Sequence, residues 1–243
     1  MNEITGHYES LLADVYTWMC GGREAKVREN ESLFEKWDML PRLSGVAFDL
    51  GAGPGFAASP LARRGYKVTA VDTSRKLLDE LSASADGKSI KTLCADMMDI
   101  RRLAGGPVEL VTVMGDTISH LPAHESLETL LRDIYKTLEP GGGLILSFRD
   151  QPASPSGIVK KFTVMADDTR EFHCEITYER ERIKVTDTIR VRIPGGWDER
   201  SGTYHKIRLT DDHVMASLAQ AGFTVEAREV VGGLSAVMAG KGG

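Results

Sequence analysis

The distribution of apolar residues divides the chain into stretches of different period. Over residues 8–40 they fall at helical spacing, with Leu11, Leu12, Val15 and Trp18 before Gly21-Gly22 and Leu33, Phe34, Trp37 and Leu40 after it. At Val46 the pattern becomes short, fully apolar runs separated by helical ones. Strands are expected at VAFDL, KVTAV (67–71), SIKTLC, VELVTV (108–113) and GLILSF. Helices are expected near 57–64, 75–84 and 124–138, the last stopped by Pro140-Gly141-Gly142. Buried strands alternating with helices predict a parallel sheet covered on both faces.

After Asp150 the period changes to two. Phe172, Cys174, Ile176 and Tyr178 share one face, as do Ile183, Val185, Ile189, Val191 and Ile193, with Lys184, Arg190 and Arg192 opposite them. With Ile158–Met165 and Tyr204–Leu209, these runs predict a small antiparallel sheet inserted between a strand and a helix. A helix over 211–221, closed by Ala221-Gly222, and the strands FTVEAREV and LSAVMAG finish the chain. The expectation is one α/β domain over 1–243. It comprises an N-terminal helical cap (1–43), a core (44–150), the antiparallel insertion (about 151–209), and a C-terminal helix with a strand pair (210–243).

Composition narrows the reading by exclusion. A formal charge of -5 gives no electrostatic footprint for nucleic acid or an anionic membrane. Arg180, Arg182, Lys184, Arg190 and Arg192 would form a basic face, but Glu171, Glu175, Glu179, Glu181 and Asp187 interleave with them, as on a solvated mixed surface. The start of the chain lacks a secretory pattern, and no run approaches the about 18 apolar residues of a membrane span. Cys20, Cys94 and Cys174 have no CxxC spacing, so reduced thiols in a cytoplasmic protein are expected.

The chemistry concentrates at Phe48-Asp49-Leu50-Gly51-Ala52-Gly53-Pro54-Gly55-Phe56. A strand runs into glycines, which let the backbone turn sharply and approach a ligand, and a helix with free N–H groups follows. Asp72 ends the next strand, where a carboxylate accepts hydrogen bonds from ribose hydroxyls. A dinucleotide fingerprint has glycine at its sixth position, but here that position is Phe56, so a ligand with a ribose and no pyrophosphate fits better.

In these stretches the chain resembles the class I S-adenosylmethionine-dependent methyltransferases, whose first motif looks like AFDLGAGPGF, second acid like AVDTS and third motif like CADMMDI. The resemblance covers about residues 44–150 and resumes at HVMASLAQAGF. It implies a Rossmann-like, mostly parallel seven-stranded sheet with helices on both faces, and S-adenosyl-L-methionine as cofactor. By the same resemblance Gly51, Gly53 and Gly55, with Ala52, line the methionine end and Asp49 meets the amino group. Asp72, beside Thr73, holds the ribose, and Asp96 and the Met97 backbone hold the adenine. Met114, Gly115, Asp116 and His120, beyond the fourth strand, border the transferring methyl. Asp116 and His120 are the catalytic candidates, His120 because its ordinary pKa lies near neutrality. Tyr8 and Tyr16 are placed either to cap the cofactor or to pack against the sheet.

Several motifs are missing: a Pro-Pro-aromatic signature after the fourth strand, any Pro-Cys dipeptide, and the paired glutamates of protein arginine enzymes. Acids are too sparse near Asp116 for a metal site, so none is expected. A small-molecule acceptor remains, with no nucleic-acid or membrane partner and with a homo-oligomer left open. The rivals are a non-catalytic S-adenosylmethionine-binding module, a nicotinamide-dependent oxidoreductase and an aminopropyl transferase.

Overall fold

The computed structural model describes residues 3–151 and 155–242. The first two positions of the N-terminal cap, residues 152–154 of the insertion and the final residue of the C-terminal segment lie outside them. The larger sheet has seven strands in the order β10-β11-β5-β4-β1-β2-β3. These are β1 (Val46–Leu50), β2 (Lys67–Asp72), β3 (Lys91–Cys94), β4 (Val108–Val113), β5 (Leu138–Phe148), β10 (Thr224–Val231) and β11 (Leu234–Gly240). The first five run parallel, and β11 alone is antiparallel to both neighbours. Every residue of β4 is buried, as helices on both faces require.

One face is covered by α6 (Ile100–Ala104), α7 (His124–Thr137) and α8 (Asp211–Ala221). Leu127, Leu130, Leu131 and Ile134 of α7 form a helical stripe on Val111, Val113, Leu144 and Leu146. The other face carries α3 (Arg23–Lys36), α4 (Ala58–Arg63) and α5 (Arg75–Ala83), which close over Ala47, Ala70, Leu110 and Ile145. Ser74 caps α5 through the Leu77 N–H, and Thr210 caps α8 through that of His213.

The second sheet, β6-β7-β8-β9, is antiparallel throughout and leaves the core after β5. Its strands are β6 (Val159–Ala166), β7 (Arg170–Tyr178), β8 (Arg182–Ile193) and β9 (Gly196–Ile207). The Gln151 N–H donates to the Leu209 carbonyl at 2.8 Å, which ties the two ends of the insertion together. Two details differ from the sequence reading. The strand expected at 204–209 begins at Gly196, because its first half is exposed and polar and shows no apolar period. Asp187, read as part of a solvated surface, occupies the buried slot between Val185 and Ile189 on β8.

The expected helix over 8–40 is several pieces. Residues 3–19 form a segment of α1 (Glu3–His7), a π-turn (Tyr8–Leu12), a 3-10 turn (Ala13–Val15) and α2 (Tyr16–Met19), and α3 starts after Gly21 and Gly22, both left-handed. This N-terminal strap lies between the two sheets. Leu11, Leu12 and Val15 pack on Phe172 and Ile189, and His7 meets Asp187 at 3.0 Å. Lys76 pairs with Asp14 at 2.9 Å, and Trp18 Nε1 donates to Asp167 at 2.6 Å. No helix among the described residues is long and apolar enough to cross a membrane.

The loop that joins α3 to β1 depends on a buried acid of β4. Glu109 accepts from the N–H groups of Arg42 (2.6 Å), Leu43 (3.1 Å) and Gly45 (2.7 Å). Glu109→Ala would strand these donors and should lower unfolding free energy by about 3 kcal/mol or more. A loss below about 1 kcal/mol in urea melts would show that the loop is held by other contacts.

Candidate active site

β1 ends at the point where the strand order of the parallel sheet reverses, between the paired strands β1 and β4, beyond whose carboxyl ends open α/β sheets bind ligands. Gly51, Gly53 and Gly55 all take positive φ, which makes a turn that side chains would strain. A Cβ on Gly51 would run into Thr117, and one on Gly55 into Leu81. The Gly51 and Ala52 N–H groups donate to the Val71 carbonyl, so the loop folds over the end of β2. The Arg23 guanidinium supports it from outside through the Pro54 carbonyl, Ser59 and Ser84.

Asp49 lies beneath this loop and is 1% exposed. Oδ1 accepts from Thr112 at 2.7 Å, while Oδ2 is buried with no hydrogen-bond partner of normal geometry. Desolvation pushes its carboxyl up to about 7, against the pull of Thr112. Asp72 accepts from the Gly53 N–H through Oδ2 and from the Ser74 N–H through Oδ1, both at 2.8 Å. Burial raises its pKa although these donors oppose the rise. Thr73 is exposed beside it. Asp96 follows β3 and accepts from the Met98 N–H at 2.9 Å, with Met97 partly buried against the core.

The strap closes the crevice. Tyr16 Cε1 would stand 3.7 Å from a Cβ on Gly53, and the Tyr16 ring stacks on Phe56 at 6.1 Å. Tyr8 packs on Tyr16 and sits edge-on to His120, with Tyr8 Oη 3.4 Å from His120 Nε2. His120 stacks on Tyr204 of β9 at 5.7 Å. Burial holds the Tyr8, Tyr16 and Tyr204 phenols well above their ordinary pKa, so they stay protonated. The wall of this chamber thus comes from three parts of the chain: strap, β4 loop and insertion.

The two catalytic candidates differ in freedom. Asp116 accepts from the Arg149 N–H at 2.9 Å and from Lys206 Nζ at 3.0 Å, so both its oxygens are engaged. Burial pushes its carboxyl up, but Lys206 and the Arg149 N–H prevail and hold it below the usual range. Burial likewise opposes the charge on Lys206, and Asp116 overcomes it and raises the pKa. His120 Nδ1 is buried and unpartnered. Desolvation, with Lys206 nearby, drives the imidazole down to about 3. Asp116 therefore anchors the loop, while His120 presents a neutral, unsatisfied nitrogen.

Sequence reasoning missed Tyr204, Lys206 and the His7–Asp187 pair. A signal existed for Lys206, which shares the buried face with Tyr204 and lies opposite Ile183. His7 left none: it fits only because Gly202 has no Cβ to meet its ring. A cavity of about 170 Å³ opens beside His120 and Lys206 and is lined also by Ile4, Pro122, Arg182 and His205. A larger hollow of about 520 Å³ between α3 and α4 borders none of these groups. Among the described residues no cluster of three metal-ligating side chains occurs.

The fold is Rossmann-like, of the kind found in solved methyltransferase structures, and residues 47–142 match the family model described as a methyltransferase domain. Streptomyces venezuelae DesVI superposes with a TM-score of 0.76 at 20% identity, covering 93% of this chain and 97% of that one. The sugar N-methyltransferase KedS8 from Streptoalloteichus has a TM-score of 0.71 at 15% identity, with coverage of 95% and 92%. In sequence the chain is 32% identical over 105 residues to the cypemycin N-terminal methyltransferase of a Streptomyces species, 43% of this chain and 42% of the relative. The chain spans less than half the length of the curated relatives it matches first.

The state of His120 can be checked directly. Its imidazole should stay neutral from pH 8 to 5 in nitrogen NMR titrations. The unfolded chain takes up a proton at this residue near pH 6.5, about the ordinary value, while the folded chain does not until about 3. Stability should therefore fall as pH drops below about 6.5, with this residue's share approaching about 1.4 kcal/mol per pH unit. His120→Gln should flatten the slope by that amount; an unchanged slope would mean the ring is solvated.

Proposed function

We propose that this chain is an S-adenosyl-L-methionine-dependent methyltransferase acting on a small-molecule acceptor. The observation that carries the reading is Asp49 Oδ2, a buried carboxylate oxygen with no normal partner beneath a loop of three left-handed glycines. A carboxyl whose burial outweighs the help of Thr112 and the Ala58 N–H is ionised more readily beside a cation, and the cofactor's α-ammonium supplies one. Gly51, Ala52, Gly53 and Gly55 hold the methionine end, Asp72 and Thr73 the ribose, and Asp96 and Met97 the adenine. Met114 and Tyr16 flank the reactive centre.

The cofactor supplies an activated methyl group on a positively charged sulfonium. The protein's own work is alignment and exclusion of water. Tyr8, Tyr16 and Tyr204 wall the chamber. Where Nε2–H donates to Tyr8 Oη, the His120 Nδ1 lone pair faces an N–H or O–H of the acceptor and orients its nucleophilic atom. A ring that stays neutral to about pH 3 is a weak store for a proton, so positioning is assigned to His120 ahead of general-base catalysis. Asp116 acts through Lys206 and Arg149 by fixing the loop that carries His120. The acceptor reaches the chamber beside Lys206, and a cavity this small admits a metabolite rather than a duplex. The three unbridged cysteines suit a reducing cytoplasm.

A nicotinamide oxidoreductase fits less well. The Phe56 ring, stacked on Tyr16, stands where the dinucleotide fingerprint has its last glycine.

Calorimetry should detect binding of S-adenosylmethionine and S-adenosylhomocysteine. Asp72→Ala should weaken it roughly ten- to a hundredfold, as expected for a charge-assisted hydrogen bond. Gly53→Val should abolish it, because a β-branched residue resists the left-handed backbone and fills the approach to the loop. Unchanged affinity in folded Gly53→Val protein would refute the cofactor site.

A further inference from the structure

The strap crosses the acid assigned to the ribose. At one end Thr5 Oγ1 donates to Thr73 Oγ1 at 3.3 Å, one residue beyond Asp72. At the other, the Tyr16 ring borders the space that a Cβ on Gly53 would enter, and the Gly53 N–H is held by Asp72. Between these contacts runs the π-turn Tyr8–Leu12, which carries Glu9.

Glu9 Oε1 is buried and has no hydrogen-bond partner among the described residues. The contacts of Thr5 with Thr73 and of Tyr16 with the Gly53 position set the π-turn over the end of β2, and the charge of Glu9 adds to the rise that burial causes in the Asp72 pKa. Leaving such an oxygen bare is costly, because a buried acceptor forfeits its water without gaining a donor. Nor is this a loose end that could swing into solvent. The strap is fixed on one side by His7–Asp187 and on the other by Lys76–Asp14 and Thr17–Glu80. Two partly buried carboxylates facing one crevice, one of them with a buried and unpartnered oxygen, call for donors between them. A vicinal diol offers two hydroxyls at suitable spacing.

We propose that Glu9 is a second ribose ligand, accepting a hydrogen bond from one cofactor hydroxyl while Asp72 accepts from the other. The inference rests on the cofactor reading above and adds to it a residue outside the glycine-loop core. It makes the strap part of the binding site: in the absence of cofactor, Glu9 and Asp72 repel each other across the closed crevice, and in its presence the diol bridges them. Cofactor binding then tightens a strap that already lies over the acceptor chamber, since Tyr8 is the neighbour of Glu9 and touches His120.

The test is Glu9→Gln, which keeps the shape and removes the charge, measured by calorimetry with S-adenosylhomocysteine and by thermal melts without ligand. The expected result is a pair of opposite shifts. Affinity falls about tenfold to a hundredfold, while the ligand-free protein melts at the same temperature or higher because a like-charge contact is gone. Hydrogen exchange should also slow across residues 5–16 of the wild type when ligand is added. Affinity within about twofold of wild type would overturn the inference, and so would a variant that both binds weakly and melts lower, which marks a merely structural residue. If the variant does not fold, absence of slowed exchange in the wild type at saturating ligand overturns it, and slowed exchange supports it. Failure of the underlying reading looks different: the wild type itself would not bind S-adenosylhomocysteine or S-adenosylmethionine, and Asp72→Ala would change nothing.

Discussion

The hydrogen bond between His7 and Asp187 is the constraint on which the rest of the site depends. It joins the N-terminal strap to the inserted sheet, and both side chains are almost fully buried. Removing one partner of a buried hydrogen-bonded pair costs about 1–3 kcal/mol, because the other is left without water or a partner. The exposed Lys76–Asp14 bridge that ties the strap to the core is worth at most about 1 kcal/mol. The strap therefore belongs energetically with the insertion. It holds Tyr8 and Tyr16 over the crevice only because β8 offers an acid in the middle of an apolar stripe and β9 offers Gly202 opposite it.

That arrangement puts acids, unneutralised by cations, where the proposed cofactor lies. Asp49 and Glu9 each have an oxygen without a normal partner, and Asp72, at the end of the neighbouring strand β2, pushes the Asp49 carboxyl further up. By contrast, the acid of the β4 loop is fully compensated, since Asp116 holds Lys206. Charge is thus left unbalanced at one end of the site and balanced at the other. The unbalanced end suits a ligand that brings a cation and hydroxyls. The balanced end keeps a neutral imidazole where the proposed acceptor binds, for which a nearby uncompensated carboxylate would be harmful: it would raise the pKa of His120 and favour protonation of the nitrogen proposed to orient the acceptor.

Most of the larger sheet was legible from the sequence. Buried parallel strands such as VELVTV lack polar interruptions, and Gly51-Ala52-Gly53 follows its strand without a break. The insertion was legible where one face was apolar and illegible where β9 runs through GWDERSG, since an exposed polar strand has no period to read. The positions of the candidate site residues followed from the strand ends, because parallel topology brings the carboxyl ends of β1, β2 and β4 to one edge. Their partners did not follow. Lys206 lies 90 residues from Asp116, and Asp187 lies 180 from His7, so no local spacing encodes either pair.

The same division explains where similarity to known proteins lies. The family match ends at residue 142, before the insertion, and starts after the strap. DesVI covers 93% of the chain at only 20% identity, so the whole architecture recurs while most side chains differ. The glycine loop is held to its sequence by backbone geometry, because a side chain at φ near +60° is strained whatever the acceptor. No such restriction applies to the inner face of an antiparallel sheet, where any side chain of suitable size and polarity can face the chamber. Tyr204 and Lys206, and with them the strap residue Tyr8 that faces the same chamber, are therefore free to change with the acceptor, whereas Asp49 and Gly51–Gly55 are not. On the proposed reading, acceptor choice lies in the parts of the chain with the least local sequence signal.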